Sequence, residues 1–223
     1  MNQVIGDILP LALGVAISPI PIIAAILMLL SPRARGTSLG FLAGWVVGIA
    51  VAVTVFTLLA SVIPEQDPEA SKPVAGTIKI LLGLLLLFLA LRQWQGRPKP
   101  GETAALPKWM EAIGEMTAAR AFLLAFALAA INPKNLIMAA GAGVLIGSAG
   151  EGVGGSTVAI AVFTVLAASS VAIPVVAYLL ASERMSAPLE SLRRWLVDHN
   201  AAVMAVLLLV IGVVMIGKGI GSF

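Results

Sequence analysis

Six long apolar stretches dominate the chain, at residues 4–30, 37–63, 74–94, 121–147, 156–181 and 200–220. Each reaches the ~20 residues that a helix needs to cross a hydrocarbon core. In lipid every backbone N–H and C=O has to find its partner within the protein, and a helix satisfies them all inside one segment. The expected fold class is therefore an all-α polytopic membrane protein with six transmembrane helices. Composition agrees, since 60% of the residues are hydrophobic and 11% are charged, against about a quarter charged in soluble domains. Mean hydropathy is +1.05. The first stretch has no basic region before it and is too long for a signal-peptide core, so it reads as a retained span. The absence of cysteine removes disulfides, thiolate metal sites and redox pairs.

Short polar connectors separate the stretches, two of them marked by proline and charge: Pro64-Glu65-Gln66-Asp67-Pro68 and Arg97-Pro98-Lys99-Pro100-Gly101. Positively charged loops stay in the cytoplasm. Arg33, Arg35, Arg92, Arg97, Lys99, Lys108, Arg120, Arg184, Arg193 and Arg194 fall in the first, third and fifth loops. The second and fourth loops and the C-terminus hold only Lys72, Lys79 and Lys218. Both termini are expected outside. The chain divides into a first three-helix repeat at 1–94, a cytoplasmic basic linker at 95–120 and a second three-helix repeat at 121–223. Trp109, Met110, Ile113 and Met116 share one helical face, and Leu189, Leu192, Trp195 and Leu196 share another. Both are expected to lie on the membrane surface, as anchored connectors or as docking sites for a partner protein.

An odd number of crossings per half gives the second half the opposite polarity, the inverted-repeat arrangement of many secondary transporters. A shared phrase supports the repeat. Ile17-Ser18-Pro19-Ile20-Pro21 interrupts the first stretch, and Ile131-Asn132-Pro133-Lys134-Asn135 interrupts the fourth. The third and sixth stretches share a fainter likeness, Leu81-Leu82-Gly83 against Val210-Ile211-Gly212.

Proline has no amide hydrogen to donate and pushes away the carbonyl four residues earlier. Pro19 and Pro21 are expected to free the carbonyls of Val15 and Ile17, and Pro133 that of Ala129. Such carbonyls must face protein, water or solute. A plain packing kink is the alternative. Lys134 sharpens the site reading, because a lysine at mid-helix costs about 2.5–3.5 kcal/mol to insert and is usually functional. Every Asp and Glu falls at a stretch end or in a loop, so its ammonium lacks a permanent counter-ion; the alternative is a lysine that caps a broken helix or snorkels to the cytoplasmic face. The candidate substrate-binding residues are Asn132, Pro133, Lys134, Asn135, Ser18, Pro19 and Pro21. Gly40, Gly44 and Gly48, and Ala139, Gly143 and Gly147, form small-residue rows for close packing or for sliding. Pro174, with Ser169 and Ser170, is a candidate hinge or a simple kink.

Other signals fail. The glycine-rich Gly150-Glu151-Gly152-Val153-Gly154-Gly155 stretch follows no strand, so nucleotide binding is not expected. The single histidine, His199, supports no metal site and no catalytic triad. The net charge of +3 reflects cytoplasmic loops, and nucleic acid is not an expected partner. Paired acids or a nucleophile with its base are missing from the apolar stretches, so the chain is not expected to be an enzyme. No cofactor is expected.

Ser31-Pro32-Arg33-Ala34-Arg35-Gly36 leading into Phe41-Leu42-Ala43-Gly44-Trp45, the Leu91-Arg92-Gln93-Trp94 end of the third stretch, Pro107-Lys108-Trp109-Met110, and Asn132-Pro133-Lys134-Asn135 together resemble the GAP or sulfolipid-addressing (Sap) family of actinobacterial membrane proteins. That family belongs to the wider LysE superfamily of small exporters, whose members share an Asn-Pro-Lys element. The resemblance covers nearly the whole chain. It implies six helices in two inverted three-helix repeats, a place in the bacterial cytoplasmic (inner) membrane, and a link to outward movement of cell-envelope glycolipids or other small molecules. By that analogy Asn132, Pro133 and Lys134 are the superfamily element in the second repeat. The first repeat offers Ser18-Pro19-Ile20-Pro21 without a lysine, so the two halves cannot contribute equally.

The leading expectation is a secondary exporter, working by alternating access, of a small amphipathic or anionic solute such as an envelope glycolipid or its precursor. With no ATP-binding motif, a proton is the natural coupling ion if Lys134 titrates. An accessory membrane scaffold for a lipid synthase or a larger transporter is the alternative. The expected partners are the lipid bilayer, a small-molecule or glycolipid substrate, a second copy of the chain in a homodimer, and a lipid-synthesis protein.

Overall fold

Proline sets where the first and fourth apolar stretches divide. The computed structural model describes residues 1–62, 73–97 and 108–223. Its helices are α1 (Asn2–Ala16), α2 (Pro19–Leu29), α3 (Ala34–Ser61), α4 (Pro73–Gln95), α5 (Ala118–Ala130), α6 (Pro133–Gly147), α7 (Gly152–Leu180) and α8 (Ser182–Ile220), with a 3-10 helix at Lys108–Glu115. No strand occurs among the described residues. Pro19 and Pro133 each occupy the first turn of a new helix, where a missing N–H costs nothing. Ser18 and Asn132 precede them as N-caps in extended conformation, at φ −116°, ψ 99° and φ −60°, ψ 122°. The interruptions are thus full breaks: α1 and α2 meet at a bend of 52°, and α5 and α6 at one of 62°.

Helices α3, α4, α7 and α8 are long and apolar enough to cross a membrane, and the two bent pairs pass the same test when each is taken as one span. The outer surface is correspondingly apolar, with Leu58, Leu84, Phe88, Val165 and Ile173 exposed. The large side chains of Phe41, Trp45, Ile8, Met138 and Phe163 fill the interior.

Small residues carry the closest helix contacts. A Cβ on Gly40 would overlap the Ala118 carbonyl, and one on Gly44 the Phe122 carbonyl. The two helices therefore run parallel with backbones in contact, the geometry that such rows permit. The second row behaves alike, since Gly143 and Gly147 abut Phe56, Thr57 and Ala60 of α3. Gly83 and Gly212 face each other reciprocally: a Cβ on the first would lie 2.8 Å from the carbonyl oxygen of the second, and one on the second 3.0 Å from that of the first. Gly76 and Gly219 repeat the arrangement at 2.9 and 2.8 Å, so α4 and α8 are antiparallel. Helix α3 packs on both α5 and α6, and α7 packs on both α1 and α2. The glycine rows are thus used for close packing within one chain.

Two expectations change. The 189–196 segment is not a surface helix apart from the sixth span, because α8 runs unbroken through 39 residues. Asp198, His199 and Asn200 read as a boundary, yet polar residues without glycine or proline do not end a helix. Within it Leu189 and Leu196 are buried while Leu192 and Trp195 are exposed, so the four do not share one environment. The face carried by Met110 and Ile113 also turns inward, both being buried where the 3-10 helix packs on α2. The side chain of Trp109 lies outside the described residues, as do the Pro64–Pro68 connector, Pro98 to Gly101, and Lys72. Helix α7 passes through Pro174, which is buried, without a break.

Three long-range polar contacts lie together at one end of the bundle. The N-terminal amine pairs with Glu151, Lys218 pairs with Asp7 at 2.7 Å, and Lys79 Nζ donates to Ser222 Oγ at 3.2 Å. The two termini, the turn before α7 and the start of α4 therefore share an end.

Candidate functional site

Each break leaves unsatisfied backbone groups, acceptors at the end of one helix and donors at the start of the next. The two breaks meet through Lys134. From the first turn of α6 its Nζ donates to the carbonyl oxygen of Ile17, the residue that ends α1, at 3.3 Å. This is one of the carbonyls that proline chemistry frees, since Pro21 has no N–H to offer it. The Sδ atom of Met204 on α8 lies 4.0 Å from the same nitrogen. Lys134 is 6% exposed, and no carboxylate pairs with it among the described residues.

The position is poor for α6 and good for α1. A cation in a first turn meets the positive end of its own helix dipole, whereas a cation at a helix C-terminus is stabilised. Lys134 therefore closes α1 at the expense of α6. The magnitudes also leave the cation short of partners. A hydrogen bond to a charged group contributes about 1.5–3 kcal/mol, while burying an ion costs several kcal/mol. One carbonyl and a thioether do not close that gap, and an anion arriving beside Nζ would.

The neighbouring asparagines have separate structural roles. Asn132 Oδ1 accepts from the backbone N–H of Lys134 at 3.1 Å, the standard N-cap bond. Asn135, 1% exposed, donates its Nδ2 to the Leu128 carbonyl in the last turn of α5 at 2.9 Å. Its Oδ1 is buried and has no partner among the described residues. Ser18, Pro19 and Pro21 are buried, and Ser18 makes no side-chain cap bond. Pro133 is exposed and Asn132 half-buried. Gly40, Gly44, Gly48 and Pro174 take no part in this cluster, the glycines lying against α5.

Sequence reasoning missed two participants. Met204 carried no signal, being one methionine in an apolar run. The Leu128 carbonyl had one: a helix ending at a break needs donors for its last carbonyls, and Asn135 stands one turn beyond.

A family model described as SfLAP: Sap, sulfolipid-1-addressing protein, matches residues 8–221. No curated protein and no solved structure matches the chain.

Proposed function

Because the chain belongs to the Sap, sulfolipid-1-addressing protein, family, we propose that it is a secondary exporter of an amphipathic, anionic envelope glycolipid or its precursor. The observation that carries the reading is the buried Lys134 holding both helix breaks together with no carboxylate partner among the described residues. Broken helices at facing positions are where secondary transporters bind their solutes. An anionic head group arriving at Lys134 competes with the Ile17 carbonyl, so binding would loosen the tie between the two helix breaks. That loosening is the proposed first step of alternating access.

The architecture proposed with it is six spans in two inverted three-helix repeats. In its support, α4 and α8 are antiparallel with reciprocal glycine contacts, and each half's middle span packs on the other half's broken span. Six crossings also accord with both termini sharing one end. We place that end outside the bacterial cytoplasmic membrane, on the charge of the loops. A proton carried by Lys134 is the proposed coupling ion, and the protein is proposed to act as a transporter rather than an enzyme.

The test is purified protein in liposomes, with a fluorescent anionic glycolipid in one leaflet and a membrane-impermeant quencher outside. Movement between leaflets without any partner is the expected result. A second reading, an accessory scaffold for a lipid synthase, draws on the stretch of α8 before residue 197, where Leu192 and Trp195 are exposed. Movement that begins only when a co-purifying enzyme is added favours the scaffold and rejects the exporter.

A further inference from the structure

A groove of about 770 Å³ lies between α1 and α8, within the roughly 300–1,000 Å³ of ordinary ligand sites. Leu9, Leu13 and Ile17 form one wall and Val203, Val206 and Val210 the other. It opens sideways, with Leu13, Ile17, Val206 and Val210 all exposed. One end is lined by Trp195 and His199, stacked at 5.0 Å between ring centroids. The other end is Gly6, next to the Asp7–Lys218 ion pair. At a rise of about 1.5 Å per residue, the α1 wall from Gly6 to Ile17 covers about 16 Å and the α8 wall from Trp195 to Ile211 about 24 Å. The groove thus covers between half and most of a ~30 Å hydrocarbon core, room for an extended acyl chain.

Ile17 joins this groove to the cation. Its side chain lines the groove while its carbonyl accepts from Lys134 Nζ at 3.3 Å. Val203 lines the groove beside Met204, whose sulfur lies 4.0 Å from the same nitrogen. An apolar groove long enough for an acyl chain thus passes within one peptide group of a buried ammonium. We propose that the groove between α1 and α8 holds one acyl chain of a lipid substrate whose anionic head group binds at Lys134.

This rests on the exporter reading and adds that the substrate is acylated and enters sideways from the bilayer. A second copy of the chain fits the groove poorly. Close packing of membrane helices needs small residues at the contact, and the groove walls are branched, while the glycine rows already pack against α3, α4, α5 and α8 inside the chain. Because an acyl chain leaves one apolar surrounding for another, the groove fixes where the tail lies and the head group supplies the preference.

The experiment uses the full-length protein in nanodiscs of phosphatidylcholine doped with phosphatidylglycerol that carries a diazirine on one acyl chain. After irradiation, adducts are mapped by mass spectrometry. Adducts are expected to concentrate at Leu13, Val206 and Val210 over Leu84, Phe88 and Val165, which are comparably exposed on other faces. Val206→Trp, a change on the exposed surface, is expected to abolish the concentration. Even labelling of all lipid-facing positions overturns the proposal, as does an adduct pattern unchanged in Val206→Trp. Disulfide cross-linking between copies through Val206→Cys, with no adducts in the groove, assigns it to a dimer instead. Transport by Lys134→Met reads the exporter assignment separately. Full transport there with a labelled groove rejects the exporter site alone, whereas lost transport with even labelling rejects the groove alone.

Discussion

Lys134, in the first turn of α6, donates to the carbonyl oxygen of Ile17 at the end of α1, across 117 residues of sequence. Two helix breaks are thereby made into one structural unit. The bond satisfies an acceptor that proline leaves free, and it places a cation against the negative end of α1. In the proposed transport cycle its weakness is its use, since a single carbonyl is a replaceable partner for a buried ammonium.

Lys134→Met is expected to abolish transport while leaving the protein folded. The change strands the Ile17 carbonyl, at a cost of about 1–3 kcal/mol, but it also removes a buried charge whose burial cost several kcal/mol. Liposome transport and gel filtration of the variant in detergent check both halves, and normal transport would sink the site. Lys134→Arg separates binding from coupling. Arginine keeps the charge but does not give up its proton, so head-group binding is expected to survive while coupled movement stops.

Asn135→Leu is expected to lower stability by about 1–3 kcal/mol, because the Leu128 carbonyl would lose the donor now 2.9 Å away at a buried site. Asn132→Ala removes an N-cap bond instead and should cost about 1 kcal/mol. Thermal melts of the two variants in one detergent give the comparison. An Asn135 variant as stable as the parent would show that the carbonyl finds another donor.

Gly44→Ala and Gly83→Val are expected to be severe, because each new side chain meets backbone: the Phe122 carbonyl for the first and Gly212 for the second. Overpacking of this kind costs about 1–3 kcal/mol or more. Gly36→Ala is the control, with nothing within 4 Å of the added methyl. It should be neutral or stabilise by up to about 1 kcal/mol, as alanine replaces glycine in a helix. Yield and melting temperature together decide the order.

The apolar stretches and the proline phrases were legible because membrane length and the missing proline N–H are local constraints. The Ile17 carbonyl was foreseeable for the same reason. What Lys134 touches was not, because nothing local to residue 134 names a partner in α1. The opposed Gly83 and Gly212 were visible only as similar phrases, and their mutual contact needed the packing of α4 on α8. Surface segments were misjudged where amphipathic faces were assigned to lipid. An apolar stripe looks the same whether it meets acyl chains or another helix, and Met110 and Ile113 meet α2.

That last distinction is measurable. Ile113, 1% exposed, packs within protein, so Ile113→Ala should leave a cavity and cost about 2–5 kcal/mol. A side chain lying in lipid would leave no cavity, since acyl chains flow into the space. A change in melting temperature within error in both detergent and nanodiscs would return this segment to the membrane surface.

The absence of cysteine makes the orientation open to single-cysteine labelling with a membrane-impermeant maleimide on intact cells. Gly36, Gly114 and Gly154 have open space around an added side chain, so cysteine at each should be tolerated. Gly36 and Gly114 flank the basic segments that the proposed orientation puts in the cytoplasm, and both should resist labelling until the membrane is opened. Gly154 begins α7 beside Glu151, which holds the N-terminal amine, and should label from outside, as should a cysteine at Ser222 beside Lys79. Because α3 and α5 are parallel and α4 and α8 antiparallel, the four sites are linked. If Gly114 labels from outside, Gly36 must do so too and the whole chain is inverted; any other split contradicts six alternating crossings.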